Sequence, residues 1–238
     1  KDFTGKYWQA DYHTISPEEY ELKRRVPFSW LPRIIKRALA ADFFPDTGNP
    51  GAVTADGELD TDPKSEWVTA RDLSVADGLD GGCGAGPTDC IIRANNDGVD
   101  PEFQIIRMGF NYDTSSIGAG STISAATVTI YEGAGGGGDG DVTYIGLVLN
   151  TWASDNAYVT ADMDQFGTSK QTDTDVTGAA WLASNGANTF TINSASLANI
   201  NKTGVTKYGI RVGRDIDNSA ATADNLYYVK TSETTGTA

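Results

Sequence analysis

Residues 103–131 read FQIIRMGFNYDTSSIGAGSTISAATVTIY, two alternating runs joined by a punctuated corner. Successive side chains of an extended chain point to opposite sides, so Ile106, Met108, Phe110 and Tyr112 share one face of the first run. Arg107, Gly109 and Asn111 share the other. Ala126, Val128 and Ile130 repeat the pattern in the second run. Between them, the Asp113 carboxylate and the Ser/Thr hydroxyls of DTSSI have the reach to bond their own backbone and fix a turn. Ile117 is expected to tuck under this corner as an apolar plug, and GAGST to let the chain reverse. The stretch predicts two strands and a structural corner that needs no ligand.

Working outward, the same alternation returns at Ile145, Leu147 and Leu149, at Phe190 and Ile192, at Tyr208, Ile210 and Val212, and at Tyr227 and Val229. One apolar face per strand, with turn residues between strands, predicts antiparallel sheets packed face to face. Strand–helix alternation is missing, which excludes a parallel α/β sheet. The expected fold is all-β, an antiparallel jelly-roll β-sandwich over residues 42–238. EGAGGGGDGD, residues 132–141, reads as a flexible connection between a strand ending at Tyr131 and one beginning at Val142. SKQTDTDVTGAAW (169–181) and RDIDNSAATADN (214–225) read as long polar loops.

Residues 1–41 have a different texture. They carry eight Lys/Arg and five Asp/Glu, a balance of +3, whereas the remainder carries ten and twenty-seven, a balance of −17. SPEEYELKRR places Ser16 as an N-cap, Pro17 at the first helical position and Glu19 where a capping box needs it. LPRIIKRALAA, residues 31–41, predicts a second short helix, with Ile34, Ile35, Ala38 and Leu39 on one face and Arg33, Lys36 and Arg37 on the other. Trp8, Tyr12, Phe28 and Trp30 add apolar area to a segment too small to bury it alone. Such an arm is expected to pack on its own β-domain, on a neighbouring subunit or, as a surface helix, on a membrane. The acidic body argues against nucleic acid as a partner, since phosphate binding needs clustered Lys/Arg. No run of about 18 apolar residues exists, so no membrane span is expected. The sequence begins on Lys1, as a processed product or a fragment would.

Little catalytic chemistry is readable. The single histidine, His13, lies in the arm with no nucleophile motif around it, so the expectation is a protein that is not an enzyme. Cys83 and Cys90, in GCGAGPTDC, have a spacing that closes a small disulfide loop if oxidised; the alternative is two unpaired thiols. Asp173 and Asp175 are spaced like the start of an EF-hand loop, but the third acidic position is Thr177 and the closing position Ser184, so that motif fails. A structural Ca²⁺ on one of the pairs Asp139/Asp141, Asp173/Asp175 or Asp215/Asp217 is the remaining metal expectation, and no other cofactor is implied. Trp152, Tyr158 and Trp181 lie near loops and are candidates to stack on sugar rings, with core packing as the alternative.

MGFNYDTSSIGAGSTISAATVTIYEG, residues 108–133, resembles the signature of the DNRLRE/disaggregatase-related, carbohydrate-binding-module-like β-sandwiches. Further stretches are similar to the subset common in phage virion and tail proteins: ADFFPD (41–46), TADGELD (54–60) followed by a tryptophan strand at Trp67, and VTADMDQFGT (159–168). NTFTINSASLANINKTGVTKYGIRVGRDIDNSAATADN (188–225) and YYVKTSETTGTA (227–238) extend it, so the resemblance covers roughly Ala41 to Ala238. It departs from the family in carrying Gly118 where Pro is usual. The family pattern also continues into a final strand of the DPKLVVTY type that this sequence lacks. Either the sequence is clipped there, or a sheet edge is left that residues 1–41 or a neighbouring subunit are expected to cover. The resemblance implies a virion structural protein of a tailed phage, located on the particle and contacting other virion proteins or its own copies through residues 1–41 and that C-terminal edge. Its alternatives are a carbohydrate-binding module that takes surface glycans and a subunit of a cellular surface filament.

Overall fold

The computed structural model describes residues 41–43, 56–80, 90–96, 102–133, 137–155, 157–184 and 186–230. The chain divides into two units, Lys1–Asp42 and Phe43–Ala238. Trp8, Tyr12, Phe28, Trp30, Ile34, Ile35 and Leu39 of the first unit, and Cys83 of the second, lie outside the described residues. Cys90 is disulfide-bonded.

The described strands are, in chain order, β1 (Asp56–Asp60), β2 (Gly78–Asp80), β3 (Cys90–Asn96), β4 (Phe103–Asp113), β5 (Thr127–Tyr131) and β6 (Gly138–Asp139). They continue with β7 (Tyr144–Asn150), β8 (Phe166–Lys170), β9 (Val176–Thr177), β10 (Ala187–Thr191), β11 (Val205–Val212) and β12 (Asn225–Val229). Three short helices intervene: α1 (Trp67–Arg71), α2 (Gly178–Ser184) and α3 (Gly213–Ile216). The pairing is nested. β3 pairs with β12, β4 with β11, β5 with β10 and β7 with β8, all antiparallel. A long hairpin folded over on itself gives this order, and it is the jelly roll expected for the fold class.

One layer runs β3–β12–β5–β10, with β12 joined to β5 through the bridge Glu132–Val229 and the bond from Lys230 N–H to Tyr131 O at 3.0 Å. The other runs β4–β11–β7–β8. Ile106 is paired with both Asp60 and Arg93, and Met108 with both Glu58 and Ile210. β1 therefore lines one edge of β4 while β3 and β11 share the other, so β4 turns the corner between the layers. Between them lies the apolar core. Met108, Ile210 and Leu147 form one cross-strand row on the second layer, facing Ile92, Val128, Ile130, Phe190 and Tyr227 from the first. Each fully buried aliphatic or aromatic side chain of this kind contributes roughly 1.5–3 kcal/mol of transfer free energy.

Several local expectations change. The DTSSI corner does bond its own backbone, Ser115 N–H donating to Asp113 Oδ1 at 3.0 Å ahead of a 3₁₀ turn, Ser115–Ile117. Ile117 is only half-buried, and the buried side chain is Thr114, whose hydroxyl donates to Asn201 O at 2.6 Å. Trp67 opens a helix instead of a strand, because Trp67 and Ala70, one turn apart, bury together. The two polar loops hold α2, which sends Trp181 into the core, and α3. The glycine-rich stretch is flanked by ladder: Gly133 N–H donates to Tyr228 O at 3.0 Å, and Gly138 and Asp139 pair with Leu226 and Asn225. β12 thus has β3 on one side and the end of β5 with β6 on the other.

Candidate functional site

The second layer has two covered faces. Away from the core, β4, β11 and β7 present Arg107, Gly109 and Asn111, Gly209 and Arg211, then Gly146, Val148 and Asn150. Gly109, Gly209 and Val148 stand side by side in register. The two glycines leave a trough, and residues 151–155 and 157–166 lie over it. A Cβ at Gly109 would meet Trp152 Cη2 at 2.5 Å and Tyr158 Cε1 at 2.9 Å. Trp152 packs edge-on against Tyr158, ring centroids 4.7 Å apart, and tilted against Phe166 at 5.2 Å. Asn111 fixes the aromatics in place: its Oδ1 accepts from Trp152 Nε1 at 3.1 Å and from Tyr158 Oη at 3.3 Å, and its Nδ2 donates to Asp155 O at 2.9 Å.

A buried ionic clasp bolts this roof to the sheet. Asp215 of α3 receives two bonds from Arg107, Nε to Oδ2 and Nη2 to Oδ1, both at 2.8 Å. Arg211 also grips it twice, Nε to Oδ2 and Nη2 to Oδ1, both at 2.7 Å. All three side chains are buried. The guanidiniums have further partners. Arg107 donates to Met163 O at 2.6 Å and Arg71 O at 2.7 Å, and Arg211 to Phe166 O at 3.0 Å and Gly167 O at 2.8 Å. Arg71 adds a bond from Nε to Asp215 O at 3.0 Å. Burial alone pushes the Asp215 carboxyl up, and the two guanidiniums outweigh it, holding the group well below the ordinary carboxylate range. Burial likewise pulls Arg211 down, opposed by Asp215. Planar bidentate pairing of this sort is what guanidinium geometry favours. The clasp joins β4, β11, α1, α3 and the roof, and its carboxylate oxygens are occupied on both sides, so its chemistry is cohesion.

Each residue singled out in the sequence now has a place. Trp152, Tyr158 and Trp181 are buried, Trp181 donating from Nε1 to Tyr228 O at 3.1 Å; a sugar ring cannot stack on them, which corrects the glycan-binding expectation. Five of the six D-x-D carboxylates bond protein donors. Asp139 Oδ1 accepts from Tyr227 Oη and Thr143 N–H, both at 2.7 Å. Asp141 accepts from Thr222 N–H and Asn225 Nδ2 at 2.9 Å each, and from the Thr222 hydroxyl. Asp175 pairs with Lys170 at 2.6 Å, Asp217 accepts from Tyr144 Oη at 2.9 Å, and Asp173 stands exposed. Among the described residues no group of three or more His, Cys, Asp or Glu is arranged to hold a metal. Sequence reading missed Arg107, Arg211 and the role of Asp215. The available signals were an arginine among glycines on a strand's second face and the four-residue spacing of Arg211 and Asp215.

A few large apolar side chains of the described surface stand exposed, Val142 the most at 84%. Val68 of α1 is 58% exposed, Val75 49% and Val159 53%. Compared with protein-family models, with curated proteins and with solved structures, the chain finds no match.

Proposed function

We propose that the chain is a non-enzymatic structural subunit of a virus particle, a tail, fibre or head-decoration component of a tailed phage. Its sandwich faces outward and residues 1–41 anchor it. The observation that carries this reading over a carbohydrate-binding module is the roof. The second face of the large sheet is occupied by the chain's own Trp152 and Tyr158, and its polar groups are consumed by a buried clasp. That arrangement favours a rigid building block. The disulfide at Cys90 supports an oxidising, extracellular setting, and the resemblance over residues 41–238 supplies the particle.

The test is to purify particles from the source culture by density gradient, quantify the chain by mass spectrometry and locate it by immunogold labelling. The expected result is a stoichiometric copy number that co-sediments with particles. Recovery only as free secreted protein or with cell envelopes would remove the reading. On a glycan array, saturable binding by the full chain would instead favour the carbohydrate-binding alternative.

A further inference from the structure

We propose that Asn201 is a modification site, the acceptor of an N-linked glycan. Asn201-Lys202-Thr203 is the one place in the sequence where Ser or Thr stands two residues after an asparagine with no proline between. N-glycosyl transferases read that pattern, and it belongs on surface loops. So short a pattern also arises by chance; what distinguishes this one is its presentation. The tripeptide lies in the turn that enters β11. Asn201 and Thr203 are exposed, and Lys202 between them folds away, its Nζ donating to Ala119 O at 3.2 Å and Ser121 O at 2.8 Å. The main chain of Asn201 is pinned: its N–H donates to Thr206 Oγ1 at 2.9 Å, and its O accepts from Thr114 Oγ1 at 2.6 Å.

The side-chain amide is committed at one end only. Its Oδ1 accepts from Thr203 N–H at 3.2 Å and from Thr203 Oγ1 at 3.4 Å, while Nδ2 donates to no other described residue. Gly204 keeps that nitrogen open, since a Cβ there would stand 2.8 Å from it. The corner to which the turn is tied, by Gly118 N–H to Lys202 O at 2.9 Å, exposes small side chains at Ser115, Ser116 and Ala119, which leaves room for a sugar. The donor is a sugar activated as its diphosphate ester. Nδ2 bonds to the anomeric carbon as the bond from that carbon to the diphosphate oxygen breaks; the diphosphate leaves with the electron pair, and Nδ2 gives up a proton. A nucleotide sugar and a lipid-linked oligosaccharide share this chemistry, the first adding single sugars and the second a preformed block. The glycan, bulky and hydrated, would shield the end of the sandwich that carries the DTSSI corner. The inference goes beyond the particle reading and does not depend on it.

The test is tandem mass spectrometry of the full chain as isolated from its source culture. Sugar mass on Asn201 in most copies is expected. Masses that step by single sugars point to the nucleotide donor, and one uniform block to the lipid-linked donor. An unmodified Asn201, or sugar on other residues only, would overturn the proposal. Variants of the full chain secreted from a glycosylating eukaryotic host then isolate the acceptor. Asn201→Gln and Thr203→Val are expected to lose the glycan entirely, and Thr203→Ser to keep it. Thr203→Val leaves Asn201 in place at an exposed position and is expected to melt with the wild type, so its loss of glycan is not misfolding. A wild type left bare by that host, or a glycan that survives Thr203→Val, would equally overturn the proposal. A glycosylated chain absent from particles would remove the particle reading and leave this one standing.

Discussion

β5 and β4 are both alternating strands in the sequence, yet only β5 has a wet face. In β5 the exposed residues Thr127, Thr129 and Tyr131 alternate with buried Val128 and Ile130, and its partner β10 does the same with Thr189 and Thr191 outward. In β4 every residue from Ile105 through Asn111 is buried. The difference is what stands in the second set of positions. Threonines are content in water and good in strands. Arg107, Gly109 and Asn111 do something else: the glycine makes room, the asparagine satisfies aromatic donors, and the arginine reaches a buried carboxylate. Alternation fixes a strand and its core face, but it does not tell which side of the other face water is on.

The sharpest way to break the contrast is at the clasp. Asp215→Asn keeps the shape and removes the charge, leaving two guanidiniums buried without a counter-ion, so a loss of about 3–5 kcal/mol is expected. That is a large share of the stability of an ordinary domain, read as a lower urea midpoint at unchanged slope. Replacing all three residues by apolar ones does not rescue it, because the guanidiniums also satisfy the carbonyls of Arg71, Met163, Phe166 and Gly167. The acid side carries the same signature. Asp215 titrates lower in the folded chain than in the unfolded one, so the unfolded state binds the extra proton on acidification. Its contribution is complete above about pH 4, the range of a free carboxyl, and drains away as pH falls further. The Asn variant should therefore show a flatter acid limb than the wild type; equal slopes would mean Asp215 is not held charged.

How legible this was in the sequence follows the same division. The core rows were readable, since Met108, Phe110, Ile145, Leu147, Tyr208, Ile210 and Val212 repeat with period two and all are buried. Which strands pair was not legible, because no local pattern says that β3 meets β12. The roof was not readable. Trp152 and Tyr158 look like surface aromatics until the glycines at 109 and 209 are known to stand side by side, which is a fact of register between distant strands. The aspartates were ambiguous for a related reason: D-x-D spacing is the same whether the oxygens await a metal or, as at Asp141, already accept from Thr222 and Asn225.

Next in size is the roof itself. Trp152→Ala removes a buried indole that also donates to Asn111, and about 3–5 kcal/mol should go with it. The loss should appear in thermal or urea unfolding. A variant of wild-type stability that lost glycan binding instead would restore the surface-aromatic reading. Gly109→Ala approaches the same contact from below. The added methyl meets two aromatic rings closer than van der Waals distance, and overpacking of about 1–3 kcal/mol is expected. On β5, by contrast, Thr129→Ala should stay within about 0.5 kcal/mol, as exposed substitutions do.

The one change expected to stabilise sits on the core face of β11, where Tyr208 is buried in register with Phe110 and Leu149. Its hydroxyl has no hydrogen-bond partner among the described residues, and burial pushes the phenol up to about 12. A buried hydroxyl without a partner forfeits its bonds to water, so Tyr208→Phe should be neutral or stabilise by up to about 1 kcal/mol. The outcome separates the two faces of one strand. On the outer face of β11, Arg211 is held by bonds that its removal would orphan; on the inner face the polar atom contributes nothing. A measured loss of more than about 1 kcal/mol on Tyr208→Phe would mean the inner face too carries a polar contact, and the division between cohesive bonds outside and plain packing inside would fail.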